Sequence, residues 1–209
     1  MLTIEEAKAY YPPADSAHAF DHVLRVLALA ERLARAEGAD VEIVRAAALL
    51  HDLTRAEEDA GRDADHAISS AARAREILHA RGVAPARIEA VAHAIAAHRF
   101  RGTLTPQTLE AQILFDADKL DSIGAIGVAR AYAVAGALNQ RLWSEVAPDA
   151  SATRAQHNAQ HTPVAEFVVK LSKVRERLFT ATARQIAEER HAFMVEFFAR
   201  LEREVRGEA

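Results

Sequence analysis

Cysteine is absent from the chain, which excludes disulfides and thiolate metal sites and fits a reducing compartment. Aromatic residues make up only 6% of it, whereas half is hydrophobic, mostly alanine, leucine and valine. That balance favours close-packed helices over stacked sheets. Neither sign of charge dominates: the formal net charge over 209 residues is −4, so no global field draws in a nucleic-acid backbone. No uninterrupted apolar run is long enough to span a membrane. The start, MLTIEEAKAYYPP, carries acidic residues and no apolar stretch where a signal peptide would have basic and then apolar ones. The expectation is a soluble cytoplasmic protein of one domain, with no polymer or membrane partner and an open oligomeric state.

What is present is helical periodicity. A short helix over Leu2 to Lys8 stops at Tyr10-Tyr11-Pro12-Pro13. Asp15 or Ser16 is placed to cap a helix from Ala17 to Glu37, ended by Gly38. Asp40 caps a second helix reaching about Leu53, and RAEEDAGRDADH reads as a loop. Helices follow over His66 to Ala80, from Pro85 through RIEAVAHAIAAH, and over Gln107 to Asp121, with RFRGTLTP as a loop. IGAIGVARAYAVAGAL is a small-residue helix, and SEVAPDASATRAQHNAQHTP an irregular loop or lid (143–163). From Pro163 two more helices run to the end, the last with Ile186, Phe193, Phe197 and Leu201 on one side. No strand pattern occurs, so the fold class is an all-α, single-domain bundle.

Several costly side chains fall on apolar helix faces. His22 is in register with Val26, Leu29 and Leu33; His51 and Asp52 end the run AAALLHDLT; Asp118 shares a face with Leu114 and Ala111. Singly, a core histidine more often bonds a carbonyl, and a helix-end aspartate more often caps. Together, two imidazoles and two carboxylates would each cost about several kcal/mol to bury unpaired. A divalent cation offsets that cost, and nitrogen plus oxygen donors without thiolate suit Mn, Fe, Ni, Zn or Mg.

His22, then His51-Asp52, then Asp118 also resembles the H…HD…D pattern of the HD-domain metal-dependent phosphohydrolase superfamily. AHAFDHVLRVLALA, AAALLHDL, IAAHRF, EAQILFDADKLDSIGAIGVAR and ATARQIAEERHAFMVEFFARL look like a subgroup of small bacterial HD hydrolases. The resemblance implies a metal-site core over about 17–125, completed by C-terminal helices over about 163–206. It implies His22, His51, Asp52 and Asp118 as ligands of one divalent ion. A second ion through His66 and His98 is the less favoured arrangement. His98 is otherwise the candidate for substrate contact or proton transfer, with His93 competing. Asp121, one turn beyond Asp118, is placed to orient a ligating histidine. Lys119, Arg184 and Arg190 are the candidate phosphate-binding cations; the two arginines fall six residues apart and do not share a helix face.

The chain departs from some nucleotidase members of the superfamily, which keep a glutamate where it has Arg55; Glu57 and Glu58 then read as solvated loop charges. Glu166 stands where the subgroup tends to have a histidine, and His157 and His161 read as surface residues. The implied function is hydrolysis of a small phosphorylated substrate, a nucleotide, with a nucleoside triphosphate cleaved to monophosphate and pyrophosphate as the leading form. The alternatives are a two-metal phosphodiesterase and a non-catalytic, metal- and nucleotide-binding regulatory module.

Overall fold

The computed structural model describes residues 2–11, 20–99, 104–146 and 161–208. Among them all regular structure is helical, as an all-α fold requires. In chain order the helices are α1 (Ile4–Lys8), α2 (Phe20–Glu37), α3 (Val41–Leu50), α4 (Arg55–Asp59), α5 (His66–Ala80), α6 (Pro85–Ala96), α7 (Leu109–Leu120), α8 (Gly124–Ala137) and α9 (Pro163–Val169). A 3-10 segment (Leu171–Arg177) then precedes α10 (Ala181–Arg206).

The starts and stops have local causes. Thr3 and Glu6 form a reciprocal capping box on α1. Asp40 accepts from the main-chain N–H groups of Glu42 and Ile43, and Asp65 from that of Ala67. Gly38 ends α2 at φ +77°, a conformation that disfavours any side chain. The expected cap at Asp15 or Ser16, the helix over 17–19, part of the loop at 100–103 and most of the irregular loop (147–160) lie outside the described residues. Two expectations change. The segment after Leu53 holds the short helix α4, and α3 ends at Leu50, leaving His51, Asp52 and Leu53 in a turn. A turn aims those side chains independently of the helical stripe.

The chain forms two compact units: Met1–Lys119 with Phe179–Ala183, and Leu120–Leu178 with Arg184–Ala209. The first is built around α3, which packs against α1, α2, α5 and α6. Ala46, Ala47, Ala48, Leu49 and Leu50 are all at most 1% exposed, and the alanines let neighbouring helices approach closely. Leu33, Leu78, Ile95, Ile113 and Leu114 complete this core, each worth about 1.5–3 kcal/mol on burial. Asp116, wholly buried, accepts from the Phe179 and Thr180 main-chain N–H groups and from the Thr180 hydroxyl at 2.7–2.9 Å. That carboxylate ties the returning segment into the first unit.

In the second unit α8 packs on α9, and Phe167 stacks on Phe198 with ring centroids 4.6 Å apart. Gly124 has φ +78°, and a Cβ there would lie 2.9 Å from Arg190 Cγ, so both backbone and space demand glycine. Along α10 the buried side chains are Ala183, Ile186, Ala187, Met194 and Phe198, whereas Phe193 is 44% exposed. The helix is apolar on two faces, so its periodicity alone could not choose the buried one.

Candidate metal centre

Five chain segments of the first unit converge. His22 is the third described residue of α2, His51 and Asp52 follow α3, His66 opens α5, His98 lies two residues past α6, and Asp118 sits in the last turn of α7. The four imidazoles are at most 4% exposed. Asp52 is their common neighbour. Its Oδ2 is 3.7 Å from His22 Nε2 and 3.6 Å from His51 Nε2. Its Oδ1 is 3.3 Å from His66 Nε2 and 3.6 Å from His98 Nε2. Asp118 Oδ1 closes the first side at 3.4 Å from His22 Nε2.

The ring orientations are fixed from outside. His51 Nδ1 donates to the Ala48 carbonyl at 2.8 Å, and His98 Nδ1 to the Ile95 carbonyl at 2.6 Å. Both are the same device: a histidine just past a helix end, bonded to the carbonyl three residues back. His66 Nδ1 instead meets Glu58 Oε2 at 2.5 Å, and the His66 main-chain N–H donates to the same oxygen. Glu58 is held in turn by Arg99, at 2.6 Å. With Nδ1 donating to a carbonyl, His51 and His98 each turn Nε2 toward Asp52.

The Nε2 atoms face one another. His22 Nε2 and His51 Nε2 are 3.4 Å apart, His66 Nε2 and His98 Nε2 3.3 Å. Ring nitrogens this close need a proton or a cation between them. Donor atoms held tetrahedrally at roughly 2.0–2.2 Å from a shared ion would stand about 3.3–3.6 Å apart, close to the 3.3–3.7 Å found here. The C-terminal ends of α3, α6 and α7, negative ends of their helix dipoles, supply residues to the cluster and favour a cation there. The donor set therefore fits a divalent metal ion. Ligand atoms of His22, His51 and Asp118, and likewise of His51, Asp52 and His98, lie within 4.8 Å of one another; so do those of Glu58, Asp65 and His66.

Protonation in the metal-free protein follows burial and charge. Burial pushes the His51 imidazole down to about 4, against the pull of Asp52. Burial opposes ionisation of Asp52 and Asp118, yet both sit well below the carboxylate range. His51, His66 and His98 outweigh burial at Asp52, and Lys119 and His22 at Asp118. Glu58 is held at about 2 by His66 and Arg99 despite partial burial. His66 is raised, because its bonds to Asp52 and Glu58 overcome burial.

The remaining expected residues are placed as follows. Lys119 Nζ lies 2.5 Å from Asp118 Oδ2 and over the Phe115 ring. His93 Nε2 accepts from the Gln107 main-chain N–H, so it is His98 that the fold sets beside Asp52. In the second unit, buried Asp121 accepts from Arg130 Nη1 at 2.8 Å, and Arg184 Nε donates to the Leu178 carbonyl. Arg190 donates to the Leu120 carbonyl and lines a cavity of about 290 Å³ with Ile123, Gly124, Glu189 and Phe193. His161 pairs with Glu166 at 2.9 Å, and His157 lies outside the described residues. Glu58, read from the sequence as a solvated charge, is the functional residue that reading missed. It lies eight residues before His66 across a turn, where periodicity carries no signal.

This constellation on an all-α core defines an HD-type centre, and the comparisons with known proteins agree. The HD domain family matches residues 19–123, and the chain belongs to that family. The uncharacterized protein YpgQ of Bacillus subtilis (strain 168) is 35% identical over 92% of this chain and 86% of its own. The crystal structure of Bacillus subtilis YpgQ in complex with ADP superposes with a TM-score of 0.75 at 30% identity, covering 99% of this chain and all of that one. An HD-superfamily hydrolase from Bacillus thuringiensis superposes with a TM-score of 0.74 at 27% identity, covering 97% and 94%. No helix among the described residues is long and apolar enough to cross a membrane.

Proposed function

We propose that this protein is a divalent-metal-dependent phosphohydrolase acting on a small nucleotide, with a nucleoside triphosphate cleaved to monophosphate and pyrophosphate as the leading reaction. The observation that carries the proposal is the convergence of four buried Nε2 atoms on the Asp52 carboxylate. The ADP bound by YpgQ supports a nucleotide as the ligand class. His22, His51, Asp52 and Asp118 would hold the ion. Their two carboxylates carry the charge that one divalent ion balances, whereas Glu58 already has Arg99 as its counter-ion.

When bound, the ion would polarise a phosphoryl oxygen and make water a better nucleophile at neutral pH. The protein's own groups do the rest. His51 and His98 cannot turn their lone pairs away without losing a carbonyl bond. Lys119 restrains one oxygen of Asp118 and leaves the other toward His22. His98 Nε2, turned toward Asp52 by the Nδ1–carbonyl bond, is the proposed acceptor of a proton from the attacking water. Lys119, Arg184 and Arg190 are the proposed phosphate-binding cations, and Asp121 the proposed orienting carboxylate; substitution of each tests its part.

A second reading has its own support: Asp52 faces an imidazole pair with each oxygen, as a carboxylate bridging two ions would. Metal analysis separates the two. About one ion per chain, unchanged in His66→Ala, rejects the two-ion phosphodiesterase. Protein reconstituted with Mn, Mg, Fe, Ni or Zn should release pyrophosphate or phosphate from a panel of triphosphates, monophosphates and cyclic dinucleotides. Tight nucleotide binding without product from any of them would replace the enzyme with a regulatory module.

A further inference from the structure

The end of α3 has a second anchor besides His51. An α-helix leaves its last carbonyls without intrahelical donors. The Ala48 carbonyl receives His51 Nδ1; the Leu49 carbonyl receives the Tyr11 hydroxyl at 2.9 Å. The main-chain N–H of Asp52 also interacts with this phenol oxygen. The Tyr11 ring meets Phe20 at a centroid distance of 5.2 Å, two residues before His22. One side chain therefore touches the two segments that deliver His22, His51 and Asp52. Its own segment is fastened: Leu2 and Ala7 are buried, α1 packs on α3, and Glu6 pairs with Arg81.

We propose that Tyr11 is a positioning residue for the metal centre, its hydroxyl locking the turn that carries His51 and Asp52 and its ring setting His22 against that turn. Tyr11 does not touch the ion; it acts through the three ligands. The inference rests on the metal-site reading above and extends the working site into the first eleven residues, outside the 19–123 segment that the family matches.

The test is Tyr11→Phe, which keeps the ring contact and removes only the hydroxyl. Metal affinity is measured by chelator competition on the whole chain, beside the melting temperature of the metal-free protein. The expected result is an affinity about tenfold weaker, the effect of losing a partner that orients a ligand, with a metal-free melting temperature near the parent's. An affinity within twofold of the parent overturns the proposal, and more firmly so if the metal-free melting temperature has dropped, since that marks ordinary packing. If the variant does not fold, 3-fluorotyrosine in the parent serves instead. The Tyr11 fluorine resonance should move with metal and saturate with binding, while that of Tyr132 stays; an unmoved Tyr11 resonance overturns the proposal. A parent that binds no metal sinks the phosphohydrolase reading with it, whereas a parent and a variant that bind equally well sink this one alone.

Discussion

The two oxygens of Asp52 look onto unlike neighbourhoods. On the Oδ2 side, His51 is buried to 0% and anchored by a main-chain carbonyl, and burial holds it neutral at about 4. On the Oδ1 side, His66 is clasped between Asp52 and Glu58, and its affinity for a proton rises. A main-chain carbonyl orients a ring and raises its basicity a little; a carboxylate orients it and raises its basicity more.

Asp52→Asn should have the largest effect, since it strips charge from both sides. Turnover and retained metal are expected to fall more than about 100-fold, beyond what losing an orienting partner costs; metal analysis and a phosphate-release assay read it.

Next in size is the acid response of the metal-free protein. Because folding depresses the His51 value, the unfolded chain binds a proton first as pH falls below about 6.5. Stability should decline from there toward about pH 4, by about 3 kcal/mol in all. His66 has the opposite sign: its raised value gives stability below its unfolded value, lost as pH rises through the folded one. Denaturant melts at stepped pH should therefore show a shallower acid slope in His51→Ala and a steeper one in His66→Ala. Below about pH 4.5 the depressed Glu58, and then Asp52 and Asp118, add to the loss as they protonate.

Glu58→Gln sharpens the comparison further. It should lower turnover about tenfold while the ion held on the Oδ2 side stays at parental content; a parallel loss of metal would show that the sides are not separable. The smallest effect belongs to Arg99→Gln, whose part-exposed pair with Glu58 is worth less than about 1 kcal/mol in thermal melts.

Much of this was legible in the sequence, and the failures have physical causes. Local chemistry marked the ends of helices: Asp40, Gly38, His66 and Pro85 stand within a residue of where the chain turns. His22, His51, Asp52 and Asp118 could be picked out because apolar neighbours at helical spacing made them expensive. Glu58 and Tyr11 could not, because their partners lie across turns. The run DADKLD shows the limit most clearly. Asp116 ties down a distant segment, Asp118 faces His22, and Asp121 takes Arg130. Three aspartates within six residues have three roles, and only the partner, supplied by tertiary structure, tells them apart. Likewise α10 offered two apolar faces, and the aromatic one proved the more exposed.

The bond from Asp116 to Thr180 also bears on how the protein is made. The first unit is not one stretch of chain: its last piece, Phe179–Ala183, follows the whole of Leu120–Leu178. A ribosome adding about 5–20 residues per second finishes α7 several seconds before it delivers the donors that satisfy Asp116. During that interval the nascent unit carries a carboxylate destined for full burial before its Phe179 and Thr180 donors exist. The helices that bear the histidine–aspartate cluster can gather early, but Asp116 is closed over only after Thr180 has been added.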